Sequence, residues 1–191
     1  GRAAKVILDQ KKVREIEDYY AQCEDEGANE AQIVASKKAV ANLDAIIGDD
    51  DVVAEVAQDF INHYETRVRE GATVEGKAMF VCSNREITYK LWQKIVELRP
   101  EWNEKKDCGD KDYKPIEKIK MVMTENKAKD TKGLFELLGN HEYRRELDRQ
   151  FKKVESNFKI AIVVDMWITG FDVPSLDTIY IYKPLQKHTL I

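Results

Sequence analysis

The stretch Lys159-Ile160-Ala161-Ile162-Val163-Val164-Asp165-Met166-Trp167-Ile168-Thr169-Gly170-Phe171-Asp172-Val173-Pro174 decides the fold class. Ile160 to Asp165 is an apolar run without polar alternation, ended by a carboxylate. Such a run predicts a strand buried on both faces, as a parallel sheet produces. A loop carrying Thr169, Gly170 and Asp172 follows, and after Pro174 a second apolar run, Thr178 to Tyr182, begins almost at once. Parallel sheets bind ligands beyond the carboxyl ends of their strands. A hydroxyl, a glycine and a carboxylate at that edge therefore mark a candidate site. Gly170 allows a close backbone approach or a positive φ. Thr169 offers a hydroxyl and an amide to a phosphate oxygen, and Asp172 can accept from a ribose hydroxyl or orient an arginine. The plainer alternative is a turn in which Asp172 caps amides and Pro174 stiffens the exit.

Outward from this stretch, the same alternation of apolar runs and amphipathic segments recurs. Lys77 to Cys82 reads as the first strand. Ser83-Asn84-Arg85-Glu86 fits a capping box, with Ser83 and Glu86 satisfying helix-start amides. Ile87, Leu91, Ile95 and Leu98 then line one helix face as far as Pro100. Glu101 to Pro115 is charged and reads as a loop. Ile119 to Met123 is a second strand, and Thr124 to Gly133 is polar and expected to be mobile. His141 to Lys153 reads as a helix with Tyr143, Leu147 and Phe151 on one face. Lys77 onward thus predicts an α/β lobe with a mainly parallel sheet flanked by helices. Gly1 to about Gly71 reads as helical instead, with Ile33, Val34, Val40, Leu43 and Ile47 in one helix. Val52, Val53, Val56, Phe60, Ile61 and Tyr64 mark the apolar face of another. Gly48 followed by Asp49, Asp50 and Asp51 suits a helix stop and an acidic helix start. The expected organisation is a helical arm over residues 1–75 packed on a lobe over residues 76–191.

The chain has 191 residues, with 35% charged and 43% hydrophobic side chains and a formal net charge of -4. That balance argues for a soluble globular protein and against a generally basic nucleic-acid coat, although a local basic edge suffices for backbone contacts. Lys127, Lys129 and Lys132 form one small basic loop. Arg144, Arg145 and Arg149 read as a solvated helix face. Cys23, Cys82 and Cys108 are scattered, as in a reducing cytoplasm rather than a disulfide framework. No run is long enough to cross a membrane as a helix. His63, His141 and His188 have no ligand-like spacing with the cysteines, so no metal site is expected. Glu75-Gly76-Lys77 and Glu125-Asn126-Lys127 fit an E-x-K nuclease triplet. Glu75 precedes its strand and Glu125 lies in a loop, so neither is expected to hold a divalent metal.

Asp165 to Thr178, continued by Tyr180-Ile181-Tyr182-Lys183-Pro184-Leu185, resembles motif V of superfamily 2 helicases and translocases. More narrowly, it resembles the R subunit of type I restriction–modification enzymes. The resemblance is strongest over Gly76–Ile191 and implies the second RecA-like lobe of that subunit's motor. It implies that Thr169 faces the DNA backbone, while Gly170 and Asp172 face an ATP cleft between lobes. Gly76 to Glu86 resembles motif IV, which implies backbone contacts from Ser83, Asn84 and Arg85. Lys120 to Thr124 resembles a further backbone-contacting strand and turn, with Thr124 at its end. The implied parent is an ATP-hydrolysing type I site-specific deoxyribonuclease that translocates double-stranded DNA, working with methylation and specificity subunits in the cytoplasm. ATP and Mg2+ would be bound mainly by a first lobe, because no G-x-x-x-x-G-K-[ST] loop occurs here. The arginine-bearing motif VI is also missing, so the chain alone is expected to hydrolyse nothing. Two alternatives remain at this level: the second lobe of another superfamily 2 helicase, acting in repair or on RNA, and a non-enzymatic interaction scaffold.

Overall fold

The computed structural model describes residues 30–70, 76–164 and 176–183. In chain order the elements begin with α1 (Glu30–Ile47), α2 (Asp50–Arg69), β1 (Lys77–Cys82) and α3 (Arg85–Leu98). A 3-10 turn (Pro100–Asn103), β2 (Lys105–Lys106), β3 (Ile116–Glu117) and β4 (Ile119–Val122) follow. The last are α4 (Lys132–Leu138), α5 (His141–Lys152), β5 (Ile160–Val164) and β6 (Leu176–Tyr182). The main sheet has four strands in the order β4-β5-β1-β6, and every pairing within it is parallel. This is the α/β architecture of a RecA-like lobe. The uninterrupted apolar runs of β1 and β5 occupy its two central positions, where both faces are covered. All six side chains of β1 are buried.

Each face of the sheet has its own core. Ala78, Phe80, Ile119, Met121, Ile160, Ile162, Tyr180 and Tyr182 point to one side, against α2, α3 and α4. Met79, Val81, Val122, Ala161 and Val163 point to the other, against Leu147 and Phe151 of α5. The period of two along each strand separates these sets. Along α2, Val52, Val53, Val56, Ala57, Phe60, Ile61 and Tyr64 are buried. They join the same core as β1 and β6 rather than a separate cluster. Phe60 sits edge-on to Phe80 and Tyr180, with ring centroids 5.1 and 4.8 Å away. Burying a side chain of that size contributes roughly 1.5–3 kcal/mol, so the α2 stripe is a major part of the apolar driving force.

The edge strand β6 keeps the alternation that the interior strands lack. Thr178, Tyr180 and Tyr182 are buried, while Ile179 and Ile181 are 41% and 47% exposed. At the other end of the fold, the last turn of α5 is closed by a lysine from β1. The fully buried Lys77 donates its Nζ to the carbonyls of Gln150 and Lys153, at 3.0 and 2.6 Å. When protonated, the amine meets the partial negative charge of the helix end. Between α4 and α5, Gly139 has φ +68, and a Cβ would lie 2.6 Å from Tyr143 Cδ1, so only glycine fits this turn. None of the described helices is long and apolar enough to cross a membrane.

Candidate nucleic-acid interface

The parallel strands deliver their carboxyl ends to one edge. Val122 pairs with Val163, Val81 pairs with Val163, and Cys82 pairs with Val164 and Tyr182, so the four strands stop almost level. Ser83, Asn84 and Arg85 leave β1 at this edge, and Thr124 leaves β4 there. The sheet thus brings together four residues that the sequence places in two separate motifs. Thr169, Gly170 and Asp172 lie outside the described residues. β5, which leads towards them, ends on the same edge.

The helix start after β1 is capped one residue later than the capping-box pattern predicts. Asn84 is the N-cap and accepts from the amide of Ile87 at 2.9 Å. Its carbonyl accepts the Thr88 hydroxyl at 2.8 Å. Glu86 is exposed and pairs at 3.7 Å with Lys90. Ser83 is therefore free to act elsewhere, and its hydroxyl donates to the carboxylate of Asp44 on α1. α1 is also tied to the sheet by Tyr182, whose hydroxyl donates to the carbonyl of Ile47. Cys82 is fully buried behind this edge, and burial pushes its thiol up to about 12, so it packs rather than reacts.

Arg85 is held across to the β4–α4 loop. Its Nε and Nη2 donate to Asp130 Oδ1 at 3.0 and 2.7 Å, and Nη2 also donates to Oδ2 at 2.7 Å. The loop expected to be mobile is folded around that carboxylate. The Asn126 amide donates to Asp130 Oδ2 at 2.6 Å, and Asn126 Oδ1 accepts from the amides of Ala128 and Lys129 at 3.1 and 3.2 Å. Thr131 then caps α4 by accepting from Leu134 N at 3.3 Å. Lys127, Lys129 and Lys132 are exposed on the outside of this loop, and Thr124 is exposed at the exit of β4.

Beside Thr124, the Glu125 carboxylate accepts from Arg144 of α5. Its own backbone amide, and then Arg144, hold the Glu125 carboxyl below its ordinary value. Glu125 is therefore committed to an ion pair, and the carboxylate of the other E-x-K triplet, Glu75, lies outside the described residues, while its Lys77 is bound to the end of α5. Arg149 of the same helix stacks 4.0 Å from the Tyr113 ring and donates to the Asp112 carbonyl at 2.6 Å, near the opposite edge. Among the described residues, no group of three or more histidines, cysteines and carboxylates is arranged to hold a metal ion.

Sequence reasoning reached Ser83, Asn84, Arg85 and Thr124 but missed their partners Asp44 and Asp130. Asp130 lies 45 positions from Arg85 and Asp44 lies 39 positions from Ser83, beyond the reach of any local pattern. The one local hint was the Asn126 to Asp130 spacing, in which a side chain can fold the loop back on itself.

Residues 2–191 match the family described as Type I restriction enzyme subunit R domain 3. The HindI endonuclease subunit of Haemophilus influenzae is 35% identical over 146 residues, covering 76% of this chain and 13% of that protein. The putative MjaIXP endonuclease subunit of Methanocaldococcus jannaschii is 34% identical over 164 residues, covering 85% of this chain and 14% of that protein. A Staphylococcus aureus relative, the SauCOLORF180P endonuclease subunit, is 35% identical over 92 residues, 47% of this chain and 10% of that protein. The chain thus spans a small part of the length of the curated relatives it matches.

Proposed function

We propose that this chain, which belongs to the type I restriction enzyme R-subunit domain 3 family, supplies the second lobe of an ATP-driven motor that moves double-stranded DNA. The observation that carries the reading is the convergence of Ser83, Asn84, Arg85 and Thr124 on the carboxyl edge of one parallel sheet. β1 and β4 flank β5, so their exits stand two strand spacings apart, about 10 Å. Four successive phosphates of one DNA strand, separated by three steps of about 3.4 Å, rise by about the same distance along the helix axis. Hydroxyls, amides and one guanidinium at that spacing suit a backbone, and contacts to phosphates carry no sequence information, which fits movement along DNA of any sequence. The start of α3 adds partial positive charge at the same place.

In this reading, Thr169 extends the DNA-facing row from β5, and Gly170 and Asp172 meet ATP bound chiefly by another lobe. ATP and Mg2+ would supply the cycle's driving force. The work of this chain is to hold hydroxyl and amide donors at fixed spacing and to carry them as the lobes close and open. Motors of this kind rely on positioning and charge stabilisation rather than covalent chemistry. The working assembly would be cytoplasmic and would include methylation and specificity subunits.

The test uses the intact endonuclease subunit assembled with its modification subunits. Thr124→Ala and Thr169→Ala should each lower DNA-stimulated ATP turnover and strand displacement while leaving DNA-free ATP turnover in place. Asp172→Ala should lower ATP turnover with and without DNA. Wild-type translocation in all three variants would leave this lobe a scaffold.

A further inference from the structure

We propose that Asp130 is a positioning residue that aims the Arg85 guanidinium at the DNA backbone, an inference resting on the reading of the carboxyl edge given above. The Asp130 side chain is 2% exposed although its loop is rich in exposed lysines, whereas Arg85 is 29% exposed. The buried carboxylate is fixed independently of the arginine. The Asn126 amide binds it at 2.6 Å, and the Asn126 carbonyl accepts from the Asp130 amide at 2.8 Å. Its contacts fall on Nε and Nη2 of Arg85. A guanidinium is a planar fork of five N–H donors, so engagement of the Nε side turns the Nη1 side away from Asp130. Pairing with Asp130 also offsets the bare charge of Arg85. What remains for a phosphate is directional hydrogen bonding, which depends on the aim that Asp130 imposes.

A carboxylate on an arginine can also act as a competitor that must leave before phosphate binds. The burial of Asp130 and its hold on the Asn126 amide favour a fixed support, because moving it would strand a desolvated carboxylate.

The experiment measures the Kd and salt slope of the intact, assembled endonuclease subunit on duplex DNA lacking a recognition sequence, alongside the thermal midpoint. Arg85→Ala should weaken binding on the order of tenfold and reduce the salt slope, by no more than the roughly 0.9 of one fully charged backbone contact. Asp130→Asn should reproduce both losses, and the double variant should add nothing further. Arg85→Lys, which keeps the charge but not the fork, should also lose affinity and slope. Tighter DNA binding by Asp130→Asn would make the carboxylate a competitor and overturn the proposal. So would an Asp130→Asn variant with wild-type Kd and slope while Arg85→Ala loses both. If Asp130→Asn does not fold, wild-type Kd and slope in Arg85→Lys overturn it equally. No effect of Arg85→Ala would instead remove Arg85 from the DNA contacts, a failure of the underlying reading that is recognisably different.

Discussion

Lys77 should make the stability of this fold rise with pH above neutrality. The side chain is fully buried at the start of β1, its Nζ 5.2 Å from the centroid of the Phe151 ring. Burial first, and then the neighbouring Lys159 charge, lower its pKa from 10.5 to about 7. In the unfolded chain the amine binds its proton up to the ordinary lysine range, so between pH 7 and 10.5 the unfolded state binds more protons. Stability therefore increases through that window, with a limiting slope of about 1.4 kcal/mol per pH unit. Integrated from pH 7 to pH 9, the gain is about 2 kcal/mol. Cys82 acts in the opposite sense, since its thiol stays protonated to about 12 in the fold, but only above its ordinary value of 9.0. The variant Lys77→Met keeps the length and the contact with Phe151. It also spares the helix end, because the Gln150 and Lys153 carbonyls keep the amides of Lys153 and Ser156, each at 3.2 Å. Urea unfolding of both proteins at pH 7, 8 and 9 should show the wild type gaining about 2 kcal/mol more than Lys77→Met. Parallel pH profiles for the two proteins would refute the reasoning and mean that the Lys77 ammonium stays charged at neutral pH in the fold.

Phe60→Ala should cost about 3–5 kcal/mol, because its ring fills the space between Phe80, Tyr180 and Trp102. A loss below 1 kcal/mol in denaturant unfolding would mean that α2 is not integral to the core. Asn84→Ala should cost about 1 kcal/mol and be rescued by aspartate or serine, as expected of an N-cap. Ser83→Ala should instead couple to Asp44→Ala in a double-mutant cycle by about 1 kcal/mol. Independent effects at positions 83 and 44 would rule out their hydrogen bond as the reason Ser83 does not cap.

Much of this architecture was legible from hydrophobic patterning, and the exceptions have physical causes. Apolar runs identified β1, β4 and β5, unbroken over Ala78–Cys82 and Ile160–Val164 in the two central strands, which are covered on both faces, and interrupted by Lys120 in the edge strand β4. α5 was legible from Tyr143, Leu147 and Phe151, and α2 from its apolar stripe. α4 was missed because Lys132–Leu138 is only two turns long, too short for periodicity to register. The β2–β3 pairing was missed because Lys105 and Lys106 fall in the charged stretch read as loop, and only Ile116 of the four paired residues is buried. At the candidate site, the residue types following β1 and β4 were readable, but their partners were not. The misplaced cap shows why. Ser83 and Asn84 are both good caps, and the choice falls to Asn84 because Asp44, brought in by tertiary packing, takes the Ser83 hydroxyl.

The orientation of this lobe on DNA can be tested directly with cysteine probes on its two edges. Thr124→Cys marks the carboxyl edge, and Val154→Cys marks an exposed position between α5 and β5 at the amino edge. Both would be placed in an intact subunit with Cys23→Ser and Cys108→Ser, and assembled on duplex DNA carrying thiol-reactive groups along its backbone. The expected result is cross-linking from position 124 and none above background from position 154. Cross-linking from position 154 with none from position 124 would contradict the placement of DNA at the carboxyl edge of the sheet.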